Sequence, residues 1–89
     1  MTFERLAALV AEGFKKDMAE DGFETFTEMR KCYMWDAQDI KDEIKHFVNE
    51  VNNSTSETIY CYDDMSTVVI GWDEMAYGEF KKLVMAKVK

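Results

Sequence analysis

The chain has no proline, only two cysteines, one histidine and four scattered glycines in 89 residues. Each scarcity excludes something. Without proline or a low-complexity stretch there is no linker, so one domain spanning 1–89 is expected. Cys32 and Cys61 lie too far apart for a zinc or thioredoxin-like motif, and small disulfide scaffolds carry more cysteines, so reduced core thiols are expected over a single long-range bridge. The glycines form no phosphate-cradling loop. No nucleophile elbow and no His-Glu-x-x-His pattern occurs. No apolar run approaches the roughly 20 residues that cross a bilayer. The Met1-Thr2-Phe3-Glu4-Arg5 start lacks the basic and apolar regions of a secretory leader, which points to a cytoplasmic protein.

Cations are also scarce: 11 against 18 acids, a formal net charge of -7. Such a chain repels nucleic acid phosphates and anionic membranes, and its natural complement is a basic protein surface. Hydrophobic residues make up 47% of the chain. That is too apolar for a disordered tail, so a folded core is expected. A domain of this size buries only about 60% of its unfolded surface. The six Phe, four Tyr and two Trp supply much of the area.

Periodicity divides the chain. Thr2 is placed to cap a first helix whose Phe3, Leu6, Ala7, Val10, Phe14 and Met18 recur at helical spacing, with Gly22 ending it and Phe23 folding back. Thr25 and Glu28 form a capping box for a short second helix through about Tyr33. Asp36 and Asp39 open a third helix, stapled by Trp35 and Ile40, with Ile40, Ile44, Phe47, Val48 and Val51 as its apolar stripe. The period then falls to two. Thr58–Tyr62 and Thr67–Ile70 read as strands joined by a turn at Asp63-Asp64-Met65-Ser66. Trp72, Asp73 and Tyr77 repeat the staple chemistry and predict a last helix with Tyr77, Phe80, Leu83, Val84 and Val88 buried. The expected class is α+β, ordered α-α-α-β-β-α, with the hairpin packed on the helices. Three consecutive apolar residues, Val68, Val69 and Ile70, require cover on both faces of their strand. Met34 and Met65 are expected to be exposed; the remaining methionines fill the core.

The main asymmetry is electrostatic. No Lys or Arg occurs between Lys45 and Lys81, where seven acids lie. Tyr60 and Tyr62 share one face of their strand, beside the acidic turn. Tyr60, Tyr62, Asp63, Asp64, Asp73 and Glu74 are therefore the candidate partner-binding residues. Phenol rings offer area at low entropic cost and carboxylates steer a cationic partner. The alternative is a solvated turn beside core tyrosines. Asp17–Glu28 is similar to an EF-hand calcium loop, with Asp first and fifth, Gly sixth and Glu twelfth, but Ala19 lacks a ligand and a Gly stop plus a capping box explain the same residues. His46 lies one turn from Asp42 and from Glu50, an arrangement equally suited to a solvated helix face.

In size, acidity and lack of catalytic motifs the chain resembles in type the small inhibitors that bacteriophages use against host nucleases, anti-CRISPR and anti-restriction proteins among them. That resemblance implies a non-catalytic protein, without cofactor or metal, that occludes a nucleic-acid-binding surface. The other readings are a homodimeric assembly subunit that buries its hairpin, and a calcium module using residues 17–28.

Overall fold

The computed structural model describes residues 1–89. Its elements are α1 (Phe3–Asp21), α2 (Phe26–Tyr33), α3 (Ala37–Asn53), β1 (Ile59–Cys61), β2 (Thr67–Ile70), β3 (Asp73–Ala76) and α4 (Tyr77–Val88). The α+β class holds, with a three-stranded antiparallel sheet in place of a lone hairpin.

The helix boundaries follow from local chemistry. Thr2 Oγ1 accepts from the Arg5 N–H at 3.0 Å and starts α1. At its end Gly22 takes φ +77°, and the Phe23 and Gly22 N–H groups donate to the Met18 and Ala19 carbonyls, a Schellman closure. Thr25 Oγ1 caps α2 through the Glu28 N–H, while Glu28 Oε2 accepts from Glu24, one residue upstream of the expected position. Asp36 and Asp39 exchange reciprocal side-chain bonds of 2.9 Å at the start of α3.

One core of 20 buried residues draws on every element except β3, whose Met75 packs against it. α1 packs on α3 and α4; α3 underlies β1, and α4 lies against β2 and β3. Only Met29 of α2 is fully buried. An aromatic junction holds that helix in place. The Phe14 ring lies 4.9 Å from Phe47, 5.4 Å from Phe26 and 6.3 Å from Trp35, each edge-on.

The strand order is β1-β2-β3, with Tyr60 opposite Val69 and Val69 opposite Glu74. Pleating turns Ile59, Cys61, Val68 and Ile70 into the core, and Tyr60, Val69 and Glu74 outward.

Three expectations are corrected. Trp72-Asp73 does not open a helix. Ile70 pairs with Asp73 around a two-residue turn, Gly71-Trp72, in which Gly71 has φ +60°, the pattern of a type II′ hairpin. Residues 73–76 are strand β3, and α4 begins at Tyr77 with no side-chain cap; the Tyr77 N–H instead donates to the Ser66 carbonyl at 2.9 Å. Ladder geometry replaces capping there, and Trp72 is left fully exposed. Met65 is buried, because a left-handed turn (φ +59°) tucks it into the core, whereas Met34 is 85% exposed as expected. Of the two free cysteines, Cys61 is in the core but Cys32 is exposed on α2.

Close packing sets a test. A Cβ on Gly13 would lie 2.6 Å from the Phe47 ring, whereas one on Gly78 meets nothing within 4 Å. Gly13→Ala should cost about 1–3 kcal/mol despite alanine's better helix propensity. Gly78→Ala should gain about 0.5 kcal/mol. Urea unfolding of both variants checks the opposite signs.

Candidate functional site

Strand alternation in β1 puts Tyr60 and Tyr62 side by side on the outer face of the sheet. Their rings are nearly parallel, 19° between planes and 6.2 Å between centroids, and the residues are 43% and 37% exposed. Tyr62 Oη donates to Glu74 Oε1 at 2.6 Å, reaching over β2 to β3. That bond to a carboxylate is the main reason the Tyr62 phenol is held above the usual tyrosine range. Between the two edge strands sits Val69, only 3% exposed yet outside the core cluster. Its cross-strand neighbours on this face are Tyr60 and Glu74, and the Tyr62 hydroxyl crosses β2 to bond Glu74 beside it.

The turn after β1 completes the surface. Asp64 Oδ1 accepts from the Ser66 N–H at 2.9 Å. Hydrogen bonding from the Ser66 side chain, then from its backbone, holds the Asp64 carboxyl below the usual range. Tyr60, Cys61, Tyr62, Asp63 and Asp64 together line a shallow depression of about 460 Å³. Five of the six expected residues are thus brought together: four line the depression, and Glu74 joins through Tyr62.

Asp73 is not among them. It precedes Glu74 in β3, so pleating turns it to the opposite face. There it lines a separate hollow at the Gly71-Trp72 turn with Met1 and Glu57. The reason is the third strand: a helix start would have carried both acids on one turn, whereas a strand divides them.

Sequence reasoning missed two features. Trp72 stands on the turn at the end of this sheet. The local signal for it was the Gly-Trp pair after an apolar run, a hairpin signature. Cations also approach from α3. Lys41 lies close enough to lower the Asp64 carboxyl further and places its Nζ 5.4 Å from the Tyr77 ring centroid. Burial pushes the Cys61 thiol up to about 11, and the Lys45 charge partly offsets this. The cation-free run in sequence is flanked in space by helix lysines.

The remaining candidates resolve differently. Residues 17–21 are the last turn of α1, so the calcium-loop-like segment is not a loop. Its Asp21 accepts from the Tyr33 hydroxyl and its Glu28 serves the α2 cap. His46 Nε2 pairs with Glu50 Oε1 at 2.9 Å in solvent, while Asp42 accepts from Gln38 instead. No three His, Cys, Asp or Glu side chains are grouped so as to hold a metal ion. No helix is long and apolar enough to cross a membrane. No protein family, characterised protein or solved structure matches the chain.

A second acidic seam lies where α1 meets α3. Asp17 and Glu43 both have raised pKa values, first through burial; neighbouring carboxylates push both further up, and His46 partly offsets this. A carboxyl raised in the folded state contributes most favourably when protonated, and that contribution is lost as pH rises through the folded pKa. At neutral pH the charge therefore weighs against folding. Asp17→Asn should stabilise by a few tenths of a kcal/mol at pH 7. The advantage should vanish below the ordinary carboxylate range, as thermal melts across pH will show.

Proposed function

We propose that the chain is a small, acidic, non-catalytic binding protein that engages a basic protein surface through the outer face of its sheet. Tyr60, Tyr62, Asp63, Asp64 and Glu74 carry the contact, and Asp73 lies outside it. The observation that carries this reading is the Tyr60–Tyr62 pair, nearly parallel, tied to Glu74 and bordered by an acidic turn. Rigid phenol rings bury area at small entropic cost, and the carboxylates complement cations. A basic surface of that kind is what a nucleic-acid-binding enzyme presents. Occupying it would exclude the phosphate backbone, the action proposed here for a phage-type inhibitor of a host nuclease such as an anti-CRISPR protein. The net charge of -7 favours such a partner over nucleic acid itself or an anionic membrane. Two unpaired cysteines accord with action in the cytoplasm.

The test is charge reversal. Asp63→Lys with Asp64→Lys should weaken binding to a basic nuclease captured by the wild-type chain at least about tenfold. Duplex DNA should compete with the wild type for that nuclease, and raised salt should weaken the wild-type complex. The circular dichroism melt should fall only modestly, because both residues are exposed and the change costs one turn hydrogen bond, from Ser66 N–H to Asp64. Equal capture by the variant, or binding indifferent to salt, overturns the reading.

Self-association through the hairpin is the second reading, favoured by one observation: Trp72 is fully exposed at the β2–β3 turn. Sedimentation decides it. A strict monomer at high micromolar concentration removes it, and a dimer lost in Trp72→Ser supports it.

A further inference from the structure

We infer that the outer face of the sheet selects arginine over lysine in its partner, a step that rests on the basic-partner reading above. The inferred occupant is a protein segment carrying an arginine whose guanidinium lies flat on the exposed ring face of the Tyr60–Tyr62 stack and whose N–H groups reach the free Glu74 carboxylate oxygen, with Asp63 adding negative charge at the nearby turn.

The shape of the site favours a planar cation. The two phenol rings, 19° from parallel and 6.2 Å between centroids, stack on each other, and the partly exposed stack offers a flat outer ring face to solvent. A guanidinium stacks on such faces, whereas a compact, strongly hydrated ammonium gains less there and loses more hydration. The acceptors are also suited to a donor fork. Glu74 commits Oε1 to the Tyr62 hydroxyl and leaves Oε2 without a partner, and the Asp63 carboxylate makes no hydrogen bond within the chain. Arginine carries five N–H donors in one plane and can address a carboxylate in that plane while stacked; lysine's tetrahedral ammonium has no such fork.

The flanking charges give the approach a direction. Asp64 is engaged by Ser66 and feels Lys41. Lys41 opposes a second cation at the turn end of β1. The side over β2 and β3, where Glu74 stands, carries no Lys or Arg in its strands. The guanidinium therefore enters over Val69 toward Glu74. The site is ordered before binding, since the Tyr62–Glu74 bond ties the two edge strands together and limits the side-chain freedom lost on docking.

Hexa-arginine and hexa-lysine peptides of equal charge test this by calorimetry and amide chemical-shift mapping on the intact chain. The expected result is tighter binding of hexa-arginine by about fivefold or more, with shifts centred on residues 60–64 and 74. Tyr60→Leu with Tyr62→Leu should remove the arginine advantage. Glu74→Gln, which keeps the size of the side chain, should reduce it even if the double variant folds poorly. Asp17→Asn with Glu43→Gln, on the distant seam, should leave the ratio unchanged. Equal affinity for the two peptides overturns the arginine inference and leaves the basic-partner reading standing. Binding of neither peptide at low salt overturns both. A preference for arginine that survives loss of both tyrosines also overturns the inference, because it would then arise elsewhere.

Discussion

Strand β2 must be covered on both faces, and the candidate site is a consequence of that requirement. Val68 and Ile70 point into the shared core, with α4 against their strand; Val69 points the other way and is still withdrawn from water. An apolar side chain in the middle of a solvated face gains from any large neighbour laid across it, on the order of 25 cal/mol per Å² of apolar surface removed. Tyr60, Tyr62 and Glu74 are those neighbours. The aromatic, acid-rimmed character of the face therefore begins as a packing solution. The same stacked rings that lie beside Val69 remain partly exposed and so open to a partner.

Most of the fold is written in local chemistry. The caps at Thr2, Thr25 and Asp36, the Gly22 stop and the apolar stripes of α1, α3 and α4 can each be read from spacing, because a single turn of backbone decides them. The start of the last helix could not be read that way. Trp72, Asp73 and Tyr77 satisfy the staple pattern, yet pairing of 73–76 with β2 is a tertiary effect that overrides it. Four ladder positions beside an already formed hairpin outweigh one cap. Met65 is a similar case: nothing in Asp-Asp-Met-Ser shows that a left-handed turn will aim its third residue inward.

The charge layout was legible only in part, for the same reason. Tyr60, Tyr62, Asp63 and Asp64 lie within five consecutive residues, so their neighbourhood follows from the strand and its turn alone. Glu74 joins them because β3 exists, and Asp73 leaves them because β3 is pleated. Lys41 and Lys45 were invisible as neighbours, being a helix away in sequence, but α3 lies under β1 and carries them to the flank of the site. A run without cations in sequence is a one-dimensional statement. Its electrostatic meaning depends on what the fold sets beside it.

The architecture also favours recognition by side chains over recognition by strand addition. An open sheet edge offers backbone donors and acceptors to any extended chain, and natural sheets blunt such edges. Here β1 is only three residues long. The Ile59 N–H is already satisfied by Asn52 Oδ1 at 3.1 Å, so the end of α3 occupies part of the edge. Lys41, near Asp64, adds positive charge at the turn end of that edge and opposes the very segment that the acids attract. A cationic chain arriving at this sheet thus meets a short, partly capped and positively guarded edge, but an outer face of parallel phenols and unpaired carboxylate oxygens. Docking across the face keeps the incoming charge over Tyr60, Tyr62 and Glu74 and away from the lysines of α3. Affinity then depends on what the partner's side chains can lay against the exposed face of that ring stack, and much less on whether its backbone can extend the ladder.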